Sequence, residues 1–174
     1  DSADRQNFGV YLSTIFAFLP DERLNVDRLS LDAGFRWDNY PDIDDAWSPR
    51  LALIGHPWKG ASWKAIYGSA FRVPNFFESF DVALGDIKPE TVTTYELVLE
   101  QDIRKNYRVT LGGFFNQIDD WIAFDFTTGA GRYRNFEGAE VKGLEVGLEA
   151  YGSEGWTDGI RARARDSYQA TKDL

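Results

Sequence analysis

The strongest constraint on this chain is a two-residue rhythm of apolar and polar side chains that recurs in eight blocks along 174 residues. In RLSLDAGFRWD, Leu29, Leu31, Ala33, Phe35 and Trp37 fall on one side, and Ser30, Asp32, Gly34, Arg36 and Asp38 on the other. An extended strand turns successive side chains to opposite faces, whereas a helix repeats every 3.6 residues, so the spacing predicts strands. The blocks cover residues 5 to 18, 27 to 38, 47 to 56, 61 to 73, 91 to 102, 107 to 126, 133 to 151 and 158 to 169. An aromatic share of 16% supports them, because Phe, Tyr and Trp fit a pleated surface. With no shift of composition along the chain, one all-β domain is expected.

The connections alternate in length. HPWKG around Pro57, IRKN at Ile103 to Asn106, and GSEGWTD from Gly152 read as short turns rich in Gly, Pro, Asn or Asp. DNYPDIDDA, PNFFESFDVALGDIKPE and the Gly-rich TTGAGR read as longer loops after the second, fourth and sixth strands. Short turns at one end and long loops at the other are the habit of outer-membrane barrels, whose strands alternate apolar and polar over ~9 to 11 spanning residues. The loop rule puts both ends of the chain on the outer side. That arrangement suits an internal piece of a longer barrel.

The face opposite the apolar rows carries Asp32, Arg36, Arg50, Lys64, Arg72, Glu96, Glu100, Arg108, Glu145, Glu149, Arg161, Arg163 and Arg165. A turn centred near Arg104 would set Glu100 against Arg108. One near Glu154 would set Glu145 against Arg163 and Glu149 near Arg161. Facing opposite charges contribute ~0.2 to 1 kcal/mol each in an antiparallel pair. Their larger effect is on register, since a one-residue slip would turn every charge to the apolar side. A solvated sheet face and a hydrated barrel interior fit this pattern equally well.

Several function classes are disfavoured. A net charge of −9 without a basic cluster argues against nucleic acid as a partner. No cysteine is present, so neither a disulfide framework nor a thiolate metal site is available. No apolar run approaches the ~18 residues of a membrane helix, and DSADRQNFGV is not a secretory signal. His56, the single histidine, lies beside Pro57, and no G-x-S-x-G elbow accompanies it. Asp44 and Asp45, like Asp119 and Asp120, are adjacent and read as solvated loop acids rather than a glycosidase pair. TGAGR lacks the lysine and serine of a phosphate loop, and no D-x-D-x-D-G calcium loop occurs. No enzyme activity, catalytic residue, metal ligand or cofactor is expected.

Five motifs then appear in order: GFRWDNY (Gly34 to Tyr40), AWSPRLALI (Ala46 to Ile54), WKAIYGSAFRVPNFFE (Trp63 to Glu78), IKPETVTTYELVLEQ (Ile87 to Gln101) and GLEVGLEA (Gly143 to Ala150). Together they resemble the C-terminal half of the TonB-dependent outer-membrane receptors. In that family a G-x-R-x-D strand end is followed by S-P-R, Y-G-x-x-F-R-x-P-x-x-x-E, L-K-P-E with a Y-E strand, and G-x-E. The departures are small: Ile87 stands where leucine is usual, and Phe35-Arg36-Trp37 replaces Leu-Arg-Tyr. The resemblance covers about residues 5 to 169.

The resemblance implies an antiparallel transmembrane β-barrel segment of eight strands, an internal piece of a barrel of about 22 strands with a plugged lumen. It implies the bacterial outer membrane as location, and active import of a scarce ligand such as a ferric siderophore or cobalamin. The expected partners are outer-membrane lipid, the receptor's own plug domain, the TonB energy-coupling complex and that ligand. Arg36, Arg50, Lys64, Arg72, Glu96 and Glu100 would face lumen and plug, with Arg72 and Arg50 pairing to plug or barrel carboxylates as gate or register residues. Pro74 would end the fourth strand, since it has no N–H to donate. Phe76, Phe77 and Phe80 would lie in the following outer loop as candidate ligand contacts. A complete eight-stranded barrel and a soluble β-sandwich binding module are the alternatives. Expressed alone, the piece is expected to associate through its unpaired edges.

Overall fold

The computed structural model describes residues 6–18, 28–41, 43–80, 87–127, 131–152 and 159–174. They form one antiparallel sheet in which every strand pairs with its sequence neighbours. The strands are β1 (Phe8–Phe18), β2 (Arg28–Tyr40), β3 (Ile43–His56), β4 (Ala61–Arg72), β5 (Glu90–Ile103), β6 (Tyr107–Asp125), β7 (Arg132–Tyr151) and β8 (Arg161–Asp173), with a single-turn helix α1 (Phe76–Phe80) after β4. The sheet is open, with β1 and β8 at its edges. A closed eight-stranded barrel would need those two edges to pair. A sandwich would need a second layer. Neither alternative from the sequence describes this chain.

Register confirms the two-faced reading rung by rung. Trp63 pairs with Leu99, which pairs with Leu111, which pairs with Val146, giving one continuous apolar row. Leu12, Phe16, Trp47, Leu97, Leu99, Leu144 and Leu148 on this face are exposed. The described residues bury few large apolar side chains: the buried apolar positions are Ala46, Ala52, Ala61, Ile122 and Ala139. A water-soluble domain hides its large apolar residues inside, and exposed apolar surface on this scale marks an interaction surface. Polar residues interrupt the apolar face on β5 and β6, where Thr93 lies opposite Gln117, and towards β7 and β8, where Lys142 lies opposite Ala170, Glu140 opposite Lys172, and Asp166 opposite Val146.

Three expectations need correction. DNYPDIDDA is not a long loop: the β2–β3 ladder runs on to the pair Tyr40 and Ile43. Asp45 is consequently a strand residue, accepting hydrogen bonds from Trp37 Nε1 at 3.1 Å and Asn39 Nδ2 at 2.8 Å, while the side chain of Asp44 lies outside the described part. Asp119 and Asp120 likewise belong to β6. The alternation of loop length fails too, since β7 ends at Tyr151 and β8 begins only at Arg161. Finally, two turns are centred later than expected. Arg108 faces Asp102 instead of Glu100, Glu149 faces Arg163, and Glu145 faces Ser167. The partners of Glu100 and Glu149 slip by two residues and that of Glu145 by four; each slip is even, which leaves every side chain on its expected face.

The two rims of the sheet differ in construction. At the lower rim, where even-numbered strands begin, backbone bonds close the turns: Asp102 N–H donates to Gly60 O at 2.7 Å, and Tyr151 N–H to Asn106 O at 2.7 Å. At the upper rim β6 and β7 outrun their neighbours. β5 ends its pairing at Thr91, opposite Asp119, whereas β6 and β7 continue to Asp125 and Arg132. Asp120 has φ 54° and Gly138 φ 126°, so the overhanging hairpin bends where it leaves the sheet. A Cβ at Gly138 would lie 1.9 Å from Ile118 O, and only glycine fits there.

Candidate functional site at the charged face and upper rim

Arg36, Arg50, Lys64, Arg72, Glu96 and Glu100 lie on the same face of the sheet, linked by register: Gly34 pairs with Arg50, Arg50 with Gly68, Ile66 with Glu96, and Ser62 with Glu100. Their surroundings differ. Arg36 holds Asp38, which is 0% exposed, through Nε at 2.6 Å and Nη2 at 2.7 Å. This bidentate fork satisfies the carboxylate and explains an arginine and an aspartate two residues apart on one face. Among the described residues Glu100 accepts a 3.4 Å bond from Ser62. Among the described residues Arg50, Lys64 and Glu96 make no ion pair. Glu96 lines a recess of about 230 Å³ with Thr94, Gly112, Phe114, Asn116 and Glu145.

Towards the lower rim the charges are saturated. Asp102 takes the Arg108 fork at 2.6 and 3.1 Å. Glu149 is approached by Arg163 at 3.2 Å and Arg165 at 3.5 Å, accepts the Tyr151 hydroxyl, and lies on the strand next to Arg108. Arg161 stacks over the Tyr151 ring at 4.8 Å. Unpaired charges therefore gather in the middle of the face.

The upper rim is organised by Arg72. Its Nε donates to Glu90 at 2.6 Å, and its Nη1 to Glu78 at 2.9 and 3.2 Å. Glu78, 7% exposed, also accepts the Asn75 N–H at 2.7 Å, while Asn75 Oδ1 accepts the Glu78 N–H at 3.0 Å. That reciprocal pair is a capping box, which gives a one-turn helix its start. The segment after Pro74 is thus helical where the sequence suggested a loop. Glu90 in turn accepts the Ile122 N–H at 2.7 Å, supplying a side-chain rung where β5 has ended. Asn135 completes the junction by accepting from Lys88 N–H at 2.9 Å and donating to Lys88 O and Asp120 O at 2.9 and 2.6 Å.

Phe77 is 77% exposed on α1; the side chains of Phe76 and Phe80 lie outside the described part. Near α1 in the fold, the overhanging hairpin carries an aromatic cluster that sequence reasoning missed. Phe124 meets Phe126 at 4.8 Å and Tyr133 at 5.0 Å, and Arg134 stands 4.5 Å over Phe136. The alternating FDF and RYR around TTGAGR carried that signal, since each pair of aromatic positions shares a face across the hairpin. Asp125 lies at the tip, buried. Its carboxyl is held below the ordinary aspartate range by the Thr127 hydroxyl at 2.6 Å and the Thr127 N–H at 2.8 Å, with further help from Arg134.

A further depression is on the opposite side. A trough of about 900 Å³ runs across the apolar face between two rows of side chains, from Leu31 and Leu53 on one flank to Tyr67, Tyr95 and Phe115 on the other. It is a furrow between neighbouring rungs, and it lacks the convergent polar groups of a ligand pocket.

A single antiparallel meander with one apolar exposed face and one charged face is the architecture of a membrane-spanning β-barrel wall. The comparisons place it further. The sequence model described as TonB dependent receptor-like, beta-barrel matches residues 1–173, and the chain belongs to that family. The vitamin B12 transporter BtuB of Vibrio cholerae is 27% identical over 122 residues, covering 68% of this chain and 20% of the transporter. The FrpB iron transporter of Neisseria meningitidis superimposes with a TM-score of 0.72 at 18% identity, over 96% of this chain and 26% of its own. The siderophore receptor PirA of Pseudomonas aeruginosa gives 0.69 at 24% identity, over 83% and 29%. This chain therefore spans between a fifth and a third of the proteins it matches. The family and these relatives are transporters and receptors, not enzymes.

Proposed function

We propose that the chain is part of the barrel wall of an outer-membrane receptor that imports a scarce ligand of the ferric siderophore or cobalamin class, energised through TonB. The supporting observation is the division of one sheet into an exposed apolar face and a face whose central charges, Arg50, Lys64 and Glu96, have no ion-pair partner in the sheet. The apolar face meets outer-membrane lipid. The charged face meets water and the receptor's plug domain, to which those central groups are available. The upper rim, with its overhanging hairpin, faces outward, and Phe77 together with the hairpin aromatics offers ligand contacts there. Phe76 and Phe80 share the same helix and the same proposed role.

Arg72 pairs with barrel carboxylates, Glu78 and Glu90, which favours its register role. Arg50 keeps the gating candidacy. The test uses the full-length receptor in a Gram-negative host lacking its own iron and cobalamin receptors. Uptake of labelled ferric chelates and cyanocobalamin is measured with and without TonB. Uptake of one of them that vanishes without TonB is expected; uptake indifferent to TonB, or a protein absent from the outer-membrane fraction, overturns the proposal.

A further inference from the structure

We infer that Arg72 is a positioning residue that joins two separate connections of the upper rim, the α1 segment after β4 and the β6–β7 overhang, into one mechanical unit. The inference rests on the reading of that rim as the ligand-facing side only for its functional meaning; the coupling itself is a property of the sheet. The path is short and continuous. From Arg72 one arm reaches Glu78, whose carboxylate also holds the Asn75 N–H at the start of α1. The other reaches Glu90, whose second oxygen holds the Ile122 N–H of the overhang.

Geometry explains why these groups act together. Glu90 is the first residue of β5, and the β5–β6 ladder ends one residue later at Thr91 and Asp119. The Ile122 N–H lies beyond that last rung and takes Glu90 as its acceptor. The bend at Asp120 and Gly138 separates the overhang from the rigid part of β6 and β7. Without further ties the overhang would swing on that bend. Among the described residues two ties hold it, the Glu90 carboxylate and the Asn135 amide, which grips both backbone polar groups of Lys88. Arg72 orients the first of them. A planar guanidinium can serve two carboxylates at fixed angles, and a lysine ammonium cannot hold both in that geometry.

The consequence for a receptor is that the connection after β4 and the β6–β7 hairpin respond to a bound ligand as one body. Their aromatic groups, Phe77 on one and Phe124 and Tyr133 on the other, then keep a constant separation.

Amide hydrogen exchange on the full-length receptor in detergent, without ligand, tests the coupling. Arg72→Ala should raise exchange at Glu78 and, fifty residues away in sequence, at Ile122, each by about tenfold or more, the equivalent of losing a charge-assisted bond. Arg50→Ala, on the same face, should change neither. Should Arg72→Ala fail to assemble, Arg72→Lys replaces it, with a smaller rise expected at both amides. Wild-type protection of Ile122 in either folded variant, or a rise confined to residues 72–80, overturns the inference. Because no ligand or energy source enters the measurement, a failed transport assay leaves this result standing, and the reverse.

Discussion

The two rims of this sheet solve the same problem with different groups. At the lower rim backbone bonds tie the turns to the adjacent strand, with Gly60 at φ 79° letting its carbonyl reach Asp102, and ion pairs such as Arg108 with Asp102 add to them. At the upper rim the connections are held by polar side chains: Arg36 on Asp38, Arg72 on Glu78 and Glu90, and the Asn135 amide on the Lys88 backbone. Backbone closure depends on chain conformation and tolerates most side chains, so it fixes register cheaply. Side-chain closure depends on a few named residues, and it lets the chain between them change freely. The rim proposed to face ligand is therefore the one whose order can be lost by single substitutions, in keeping with binding residues carried on loops over a rigid scaffold.

The sharpest way to break the contrast is at the bend. Gly138→Ala forces a Cβ against Ile118 O in a backbone conformation closed to alanine, at a cost of at least ~3 kcal/mol. We expect the full-length protein to lose most of its folded, heat-modifiable band on electrophoresis.

Next comes an asymmetry within one ion pair. Arg36→Ala strands the fully buried Asp38 without its fork and should cost about 3 kcal/mol. Asp38→Ala frees a half-exposed arginine that water can receive, and should cost only about 1 kcal/mol. Urea unfolding of the receptor in lipid vesicles measures both. Equal losses would mean that Asp38 finds another donor.

The lower rim should respond less. Gly60→Ala strains a single turn residue by roughly 1 to 2 kcal/mol and should leave ligand binding at the opposite rim unaltered. A loss of binding affinity there would erase the distinction between the rims.

Acid should have the smallest effect and a local one. The folded carboxyl of Asp125 titrates below the ordinary aspartate range, so the unfolded tip binds its proton more readily. Its contribution is complete above the ordinary value of about 4 and fades as pH falls through the lower, folded value. Exchange at the Thr127 amide should therefore rise only in that acidic window, with Ile122 unaffected.

Much of this was legible in the sequence. Parity placed all of Arg36, Arg50, Lys64, Arg72, Glu96 and Glu100 on one face, because a two-residue period survives any even error in register. The turns after β5 and β7 show the limit: both were centred too early, and the pairs Glu100 with Arg108 and Glu145 with Arg163 were misjudged while their faces were not. DNYPDIDDA misled for another reason. Pro, Asn and Asp signal a loop by local preference, yet the Trp37 and Trp47 pair and the Asp45 bonds extend the hairpin almost to its tip. Tertiary contact outweighed local propensity there, as it did where the capping box of Asn75 and Glu78 wound the expected loop into α1.

The sequence by itself determined that the chain is strands, that each strand has a greasy and a charged side, and which residues occupy each. These follow from the alternation of side chains along an extended backbone, a property of neighbours in the chain. Only the tertiary structure decided that Arg72 pairs with Glu78 and Glu90, and that the β6–β7 hairpin runs past β5 and is tied to Lys88. Those outcomes depend on where strands of unequal length end beside one another, and an orphaned amide such as that of Ile122 takes as partner whichever carboxylate the neighbouring strand brings within reach.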